Sequence, residues 1–92
     1  MPGTKMQLEW ESKALKKYNL MISKIPLFHR NIAKIVVDKK ALSNAQGRGS
    51  HLVEEHDIVN AFFTEVPKAF YSLMIRLFDE VRFEYKGLEK RT

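Results

Sequence analysis

The sequence contains no cysteine, only three prolines and four glycines among its 92 residues, and no long uninterrupted apolar segment. The absence of cysteine excludes disulfides, thiolate catalysis, iron–sulfur ligation and cysteine-based zinc sites. No apolar run approaches the roughly 18–20 residues that a membrane-spanning helix requires. Residues 1–5 also lack the apolar centre of a signal peptide, so we expect a cytoplasmic protein that makes no membrane contact.

The composition is that of a folded domain, with 45% apolar residues, six Phe, three Tyr and one Trp. A disordered chain contains far fewer apolar and aromatic residues. The length allows one domain, and a chain of this size buries only about 60% of the surface that its unfolded form exposes. We therefore expect a disordered tail over residues 1–7, a single domain over 8–86 and a frayed tail over 87–92, with stability that gains from self-association.

Prolines and glycines divide the chain in a way that favours helices. Pro26 and Pro67 each stand just before a long apolar-periodic segment, where a first-turn proline is tolerated, while Gly47, Gly49 and Gly87 interrupt or follow such segments. The periodicity predicts four helices, over residues 8–23, 26–43, 54–63 and 67–85. The fold class is therefore all-α, a compact four-helix domain with a helix–loop or short strand–helix segment in the middle.

The second helix has a predicted inner face and a predicted outer strip. Apolar residues at helical spacing assign Phe28, Ile32, Ile35 and Val36 to the core. The charged residues Arg30, Lys34 and Asp38 follow one another at intervals of four, so Lys34 and Asp38 are predicted to pair along the surface.

The sequence offers no catalytic constellation. It has no nucleophile elbow, no glycine-rich phosphate loop and no pair of carboxylates on a predicted concave wall. His51 and His56 are five residues apart with a helix start between them, which does not match a pair of metal ligands on one face. We therefore expect no enzyme activity, cofactor, metal site or small-molecule substrate.

Positive charge is concentrated in residues 1–50, which contain ten Lys and Arg and three acidic residues. The net charge of the whole chain is +5. One interpretation is a phosphate-binding surface for nucleic acid. The alternative interpretation is that these residues only keep the helix surfaces solvated. Most of them are lysines, and no exposed aromatic residues alternate with them as a base-stacking surface would require. The candidate contacts are Lys13, Lys17, Lys24, Arg30, Lys34 and Arg48.

Aromatic residues point to contact with a protein. Trp10 flanks the apolar face of the first helix, where it either closes the core or anchors a partner. Phe63 and Tyr71 have no obvious inward position in a four-helix monomer, and exposed apolar surface usually marks an interface. A homodimer or a larger host protein accounts for such a patch.

Part of the chain resembles a known helical family. The matching residues are Trp10, Ala14, Ile25-Pro26, Phe28, Arg30, Asp38, Ala41, a glycine-containing loop, and Val53 to Ala61. They are similar to the small domain named for protochlorophyllide reductase, which ends the B subunit of the light-independent, nitrogenase-like enzyme and also occurs as short free-standing bacterial proteins. In the reductase this domain is an appendage without cluster ligands. The resemblance thus implies an accessory or docking role.

A second resemblance is to the histone fold. Gly47-Arg48, Val53, Asp57-Ile58 and Ala61 resemble the loop and last helix of archaeal-type histones, in which an apolar residue begins a short paired segment and the Asp opens the helix. This resemblance implies a helix–strand–helix shape and, as an alternative function, nucleic-acid binding.

Together these patterns predict a small non-catalytic helical module that binds another protein. The predicted contact residues are Trp10, Phe28 and Arg30, with Phe63 and Tyr71 as a second, hydrophobic patch. Arg30 is a candidate for bidentate binding of a partner's carboxylate, because its guanidinium has the matching planar geometry. The alternative is the histone-like nucleic-acid binder with its six basic residues.

Overall fold

The structure is a computed structural model in which residues 8–88 are described. Within that range the four predicted helices are present, together with a short strand pair. The elements are β1 (Glu9–Trp10), α1 (Ser12–Lys24), α2 (Leu27–Gly47), β2 (Leu52–Val53), α3 (Glu55–Glu65), a 3-10 turn (Lys68–Phe70) and α4 (Tyr71–Val81). The prediction of an all-α domain with a helix–short strand–helix segment, here α2–β2–α3, is confirmed. None of the helices between residues 8 and 88 has the length and hydropathy to span a bilayer.

The helix ends follow local sequence signals. Glu11 caps α1, because its carboxylate accepts hydrogen bonds from the backbone N–H groups of Lys13 (3.2 Å) and Ala14 (2.8 Å). Pro26 and Pro67 stand directly before α2 and the 3-10 turn, as predicted. The helix α4 ends at Val81, earlier than predicted, because Arg82 adopts a left-handed conformation with φ 67°.

The strand pair β1–β2 was not predicted. Glu9 lies opposite Leu52 and Trp10 opposite Val53 in a parallel arrangement. The Glu9 N–H donates to the His51 carbonyl and the Glu11 N–H to the Val53 carbonyl, both at 2.8 Å. The predicted start of the first helix at residue 8 is therefore wrong, since this segment is extended and joins the start of the chain's described part to the α2–α3 connection.

The core lies between α1, α3, α4 and the inner side of α2. The T-shaped ring contacts of Phe62 with Tyr18 and with Phe78, at centroid distances of 5.9 and 5.6 Å, run through its centre. The fully buried large side chains are Tyr18, Met21, Val37, Val53, Asp57, Ile58, Val59, Phe62 and Phe78. Such burial supplies most of the favourable free energy of folding.

The predicted inner face of α2 is wrong. Val37, Ala41 and Ala45 are completely buried, whereas Phe28, Ile32 and Ile35 are exposed and Val36 is half-buried. The small alanines allow α2 to pack closely on α3, and this contact orients the helix. The larger apolar side chains consequently lie on the opposite side.

The predicted tails lie mainly outside the described residues, since residues 1–7 and 89–92 are not described. Gly87 and Leu88 are described: the Leu88 N–H donates to the Tyr85 carbonyl at 3.0 Å, and Leu88 packs partly against the core. This contact extends the packed part of the chain to residue 88.

Candidate functional site

The main surface feature is an apolar face on the N-terminal half of α2, here called the outer face and defined as Leu27, Phe28, Ile32 and Ile35. The exposed fractions of these side chains are 77%, 92%, 65% and 66%. A helix on the surface of a globular protein normally has polar residues opposite its buried side. The first half of α2 departs from this pattern, because it exposes these four large apolar side chains to solvent.

An apolar groove of about 390 Å³ lies beside the outer face. Its walls are α2 on one side and the α3–α4 connection with α4 on the other, and its floor is the end of α1. Two titratable side chains, His29 and Glu65, line it together with Met21, Ile25, Pro26, Ile32, Ala33, Val36, Phe62, Val66, Pro67, Phe70, Leu73, Met74 and Leu77. The volume falls within the range of natural ligand pockets, and the lining favours apolar groups.

The two proline corners keep the groove open. Pro26 separates α1 from α2, and Pro67 separates α3 from the 3-10 turn, with extended backbone at both positions. A residue that precedes proline is biased away from helical conformation, so each helix ends before its proline and the next begins in a new direction. The first half of α2 and the start of α4 therefore lie apart, and the groove runs between them.

Arg30 stabilises the corner at Pro26 from inside the chain. Its guanidinium donates to the Ile25 carbonyl from Nε (3.1 Å) and Nη2 (2.9 Å), and to the Ser23 carbonyl from Nη2 (2.8 Å). These carbonyls belong to the end of α1, where backbone acceptors have no helical partner. Arg30 thus caps α1, and this role competes with the predicted binding of a partner's carboxylate.

Trp10 is half-buried at the rim of the core. Its ring stacks on Tyr18 at a centroid distance of 5.5 Å and an interplanar angle of 2°. Its backbone belongs to β1, so the ring also attaches the strand pair to α1. Trp10 has a packing role here, and its predicted contact with a partner stays a prediction.

The predicted surface patch at Phe63 and Tyr71 is not on the surface. Phe63 is buried and makes a T-shaped contact with Tyr71 at 5.5 Å, while Tyr71 is half-buried and donates its hydroxyl to the Phe63 carbonyl. The expectation that these residues have no inward position is wrong, because α4 starts one turn late, after the 3-10 turn, and so places both rings against the core.

Most of the candidate nucleic-acid contacts already have partners within the chain. Lys17 pairs with Glu55 at 3.0 Å, Lys24 with Glu80 at 3.4 Å and Lys34 with Asp38 at 2.8 Å, as predicted for the last pair. Arg48 pairs with Asp57 and, at 3.6 Å, with Glu54. Arg30 makes no ion pair within residues 8–88 but donates to the α1 carbonyls. Of the six, only Lys13 has neither an ion pair nor such a hydrogen bond from its side chain within that range. The paired carboxylates weaken the attraction of this surface for phosphates.

The Arg48–Asp57 pair joins the end of α2 to the start of α3. Arg48 donates to both carboxylate oxygens of the buried Asp57, from Nε at 2.9 Å and from Nη2 at 2.5 Å, and the Glu54 N–H donates to the same carboxylate at 2.9 Å. Burial alone would raise the pKa of Asp57, but the hydrogen bonds from Arg48 and from the Glu54 backbone hold that pKa below its usual value. The carboxylate is ionised at neutral pH and serves the fold.

Tyr18 forms a second polar contact inside the structure. Its hydroxyl donates to Asp38 at 2.5 Å, and Lys34 lies over its ring at 5.6 Å. Burial, followed by the hydrogen bond to Asp38, raises the pKa of Tyr18 far above its ordinary value. This phenol is therefore a permanent donor rather than an acid–base group at physiological pH.

Apolar side chains dominate the outer face and the groove. Across residues 8–88, no three His, Asp or Glu side chains are grouped so that they would hold a metal ion. The outer face and the groove instead offer apolar contact area. Sequence reasoning had named Phe28 as a contact residue while assigning it, together with Ile32 and Ile35, to the core, and had not considered Leu27. The signal for Phe28, Ile32 and Ile35 was that α2 carries a second apolar stripe besides Val37, Ala41 and Ala45.

No protein-family model, no curated protein and no solved structure matches this chain.

Proposed function

We propose that this chain is a non-catalytic protein-interaction module whose contact surface is the outer face of α2 with the adjoining groove. The observation that carries the proposal is the exposure of Phe28, Ile32 and Ile35, on the side of α2 away from the one that buries Val37, Ala41 and Ala45 further along the helix. Since α2 packs on α3 through its buried side, these exposed side chains are available for contact with a partner. Contiguous apolar surface of this kind on a small domain marks an interaction site.

The shape of the surface favours a helix as the partner element. Phe28, Ile32 and Ile35 recur at helical spacing, and the groove beside them is apolar and lined by residues of α2 and α4. An amphipathic helix binds to such surfaces by inserting its own apolar side chains. Phe28 is the expected anchor, because aromatic side chains contribute most to the affinity of protein interfaces.

The resemblance to the domain at the end of the reductase B subunit supports an accessory role. Phe28 and Arg30 are both part of that resemblance, and the structure gives them complementary positions. Arg30 holds the Pro26 corner through the α1 carbonyls, and Phe28 extends from the first turn of α2 beyond that corner. Within the proposal, Arg30 is a positioning residue and Phe28 a contact residue.

The test is site-specific photo-crosslinking in cells that express the chain. A photoreactive phenylalanine analogue replaces Phe28, and a matched control carries it in place of Lys16, which is exposed on α1 outside the groove. We expect protein adducts from position 28 that disappear when Ile35→Glu is added, and none from position 16. The absence of adducts at position 28 would contradict the proposal.

A second measurement addresses nucleic acid. Labelled duplex DNA is titrated with the protein at low and physiological salt. Contacts to phosphates make the affinity fall by about one log unit per contact for each tenfold rise in salt. We expect weak binding with a shallow slope, because five of the six candidate basic residues are engaged within the chain. Tight binding with a steep slope would favour the histone-like alternative.

A further inference from the structure

The outer face continues along α2 with the spacing of a helix–helix seam. Phe28, Ile32, Ile35, Lys39 and Leu42 follow at intervals of four, three, four and three residues. This alternation keeps one line of side chains facing a neighbouring helix. Resting on the proposed function, and naming its partner, we propose that a second copy of this chain covers the outer face, with the two α2 helices antiparallel about a two-fold axis between Ile32 and Ile35.

The exposed apolar area matches what a stable dimer requires. Besides the outer face, Leu20 and Phe70 are exposed by 50% and 46%. The six side chains together expose on the order of 700 Å², and a standard interface buries roughly 800 Å² from each partner. An isologous arrangement covers the same surface on both copies, so one contact buries Phe28, Ile32 and Ile35 of each copy.

The position of Lys39 decides between the two directions of pairing. A parallel pair in register would bring the two Lys39 ammonium groups together in an apolar seam, which is unfavourable. An antiparallel pair centred between Ile32 and Ile35 places Lys39 beside Phe28 of the second copy instead. A lysine ammonium next to an aromatic ring is a favourable cation–π contact.

The surface next to Lys39 has room for that ring. A second depression of about 350 Å³ is lined by Val36, Lys39, Lys40, Ser43 and Glu65. In the antiparallel arrangement Phe28 of the second copy falls at this depression, where Val36 provides apolar contact. Each copy therefore supplies one projecting ring and one receiving site, which is the self-complementarity that a two-fold interface requires.

The first experiment measures self-association by sedimentation over a range of concentrations. We expect a dimer that strengthens as salt is raised, because each copy carries a net charge of +5 and salt screens the repulsion. Ile35→Glu should lower the association constant roughly 1,000-fold, about 30-fold from each copy. Phe28→Ser should also weaken it, and Lys16→Glu, outside the seam, should leave it unchanged at high salt, where the change in net charge is screened. Circular dichroism confirms that each variant is folded.

The second experiment tests direction by using the absence of native cysteine. In the antiparallel seam, equivalent residues such as the two at position 39 are about 16 Å apart along the axis, too far for a disulfide. We therefore expect oxidation of Lys39→Cys alone to give no linked dimer, and a mixture of Lys39→Cys with Phe28→Cys to give one. Linkage of Lys39→Cys alone would overturn the antiparallel arrangement.

Two further results would overturn the second copy as partner. One is a chain that stays monomeric to millimolar concentration, and the other is a dimer that Ile35→Glu and Phe28→Ser leave intact. The proposed function is judged separately by the mass of the adducts at position 28. Adducts of twice the chain mass support the dimer. Adducts with a different protein that Ile35→Glu abolishes retain the interaction module and reject the second copy, and no adducts at all reject both.

Discussion

Replacement of Asp57 by alanine tests how the α2–β2–α3 segment is held together. The Asp57 carboxylate is buried and accepts two hydrogen bonds from Arg48 and one from the Glu54 N–H. The change removes all three acceptor contacts at once. It also removes a negative charge from the first turn of α3, where the helix dipole favours it.

The expected loss is about 3 kcal/mol in the free energy of unfolding. Hydrogen bonds to charged groups contribute about 1.5–3 kcal/mol each, and loss of a helix cap costs about 1 kcal/mol. The sum is reduced because the Arg48 side chain is 34% exposed and regains water when its partner is lost. A domain of this length has a total stability of roughly 5–14 kcal/mol, so the variant remains folded but loses a large share.

The measurement is urea denaturation followed by circular dichroism, with Asp79→Ala as the matched control because Asp79 is exposed on α4. The control should change the free energy of unfolding by less than about 0.5 kcal/mol. A double-mutant cycle with Arg48→Met gives the coupling between the two side chains.

The pH dependence provides an independent check. The folded-state pKa of Asp57 is lowered, so the stability that its charge contributes is present above the ordinary value of 3.8 and is lost as pH falls through the lower folded value. The difference between wild type and Asp57→Asn should therefore be constant near neutral pH and should shrink in acid below about pH 4. A loss below about 0.5 kcal/mol for Asp57→Ala, or a pH-independent difference, would refute the reasoning.

The remaining predictions concern stability elsewhere. In dilute solution, Ile35→Ser should change the free energy of unfolding by less than about 0.5 kcal/mol, whereas Val37→Ala should lower it by about 2 kcal/mol. Equal effects of the two variants in urea denaturation would contradict the assignment of the exposed and buried sides of α2. Tyr18→Phe should cost about 1–2 kcal/mol. Because burial raises the pKa of Tyr18, the stability that its neutral hydroxyl contributes is intact below about pH 10 and is lost as pH rises further. The absorbance of tyrosinate would report the ionisation of Tyr18. Arg82→Gly should raise the free energy of unfolding by roughly 0.5–1 kcal/mol, because glycine adopts φ 67° without strain. A decrease in urea denaturation would contradict this prediction.

The helices were predictable because their signals are local. Pro26, Pro67 and the apolar periodicity are all read within a few residues, and they gave the number and order of the helices. The ion pair between Lys34 and Asp38 was predictable for the same reason, since residues four apart on a helix are neighbours.

The orientation of α2 was not predictable in this way. Periodicity identifies apolar faces but does not rank them when a helix has two. The inner side is set by Ala41 and Ala45, whose small side chains add little to a hydrophobic pattern yet permit the close contact with α3. Phe28, with the larger apolar surface, was therefore assigned to the core and lies on the outside.

The strand pair and the Arg48–Asp57 contact depend on tertiary structure. A two-residue strand has no periodicity to read, and β1 becomes extended only because β2 lies beside it. The acidic first turn of α3 was visible in the sequence, but the sequence did not show which basic side chain would pair with Asp57. That pairing depends on the turn at Gly49, with φ 77°, which leads from α2 into β2.

The β1–β2 pair also has a consequence for the order in which the molecule opens. It joins residues more than forty positions apart, and closing a loop of that length costs about 3 kcal/mol in chain entropy. The few backbone hydrogen bonds of the pair offset only part of this, so the pair persists because α1, α2 and α3 have already drawn its ends together. We therefore expect detachment of β1 from an otherwise native molecule to need less free energy than opening of α3, so amide hydrogen exchange at Glu9 and Glu11 should be faster than in the interior of α3.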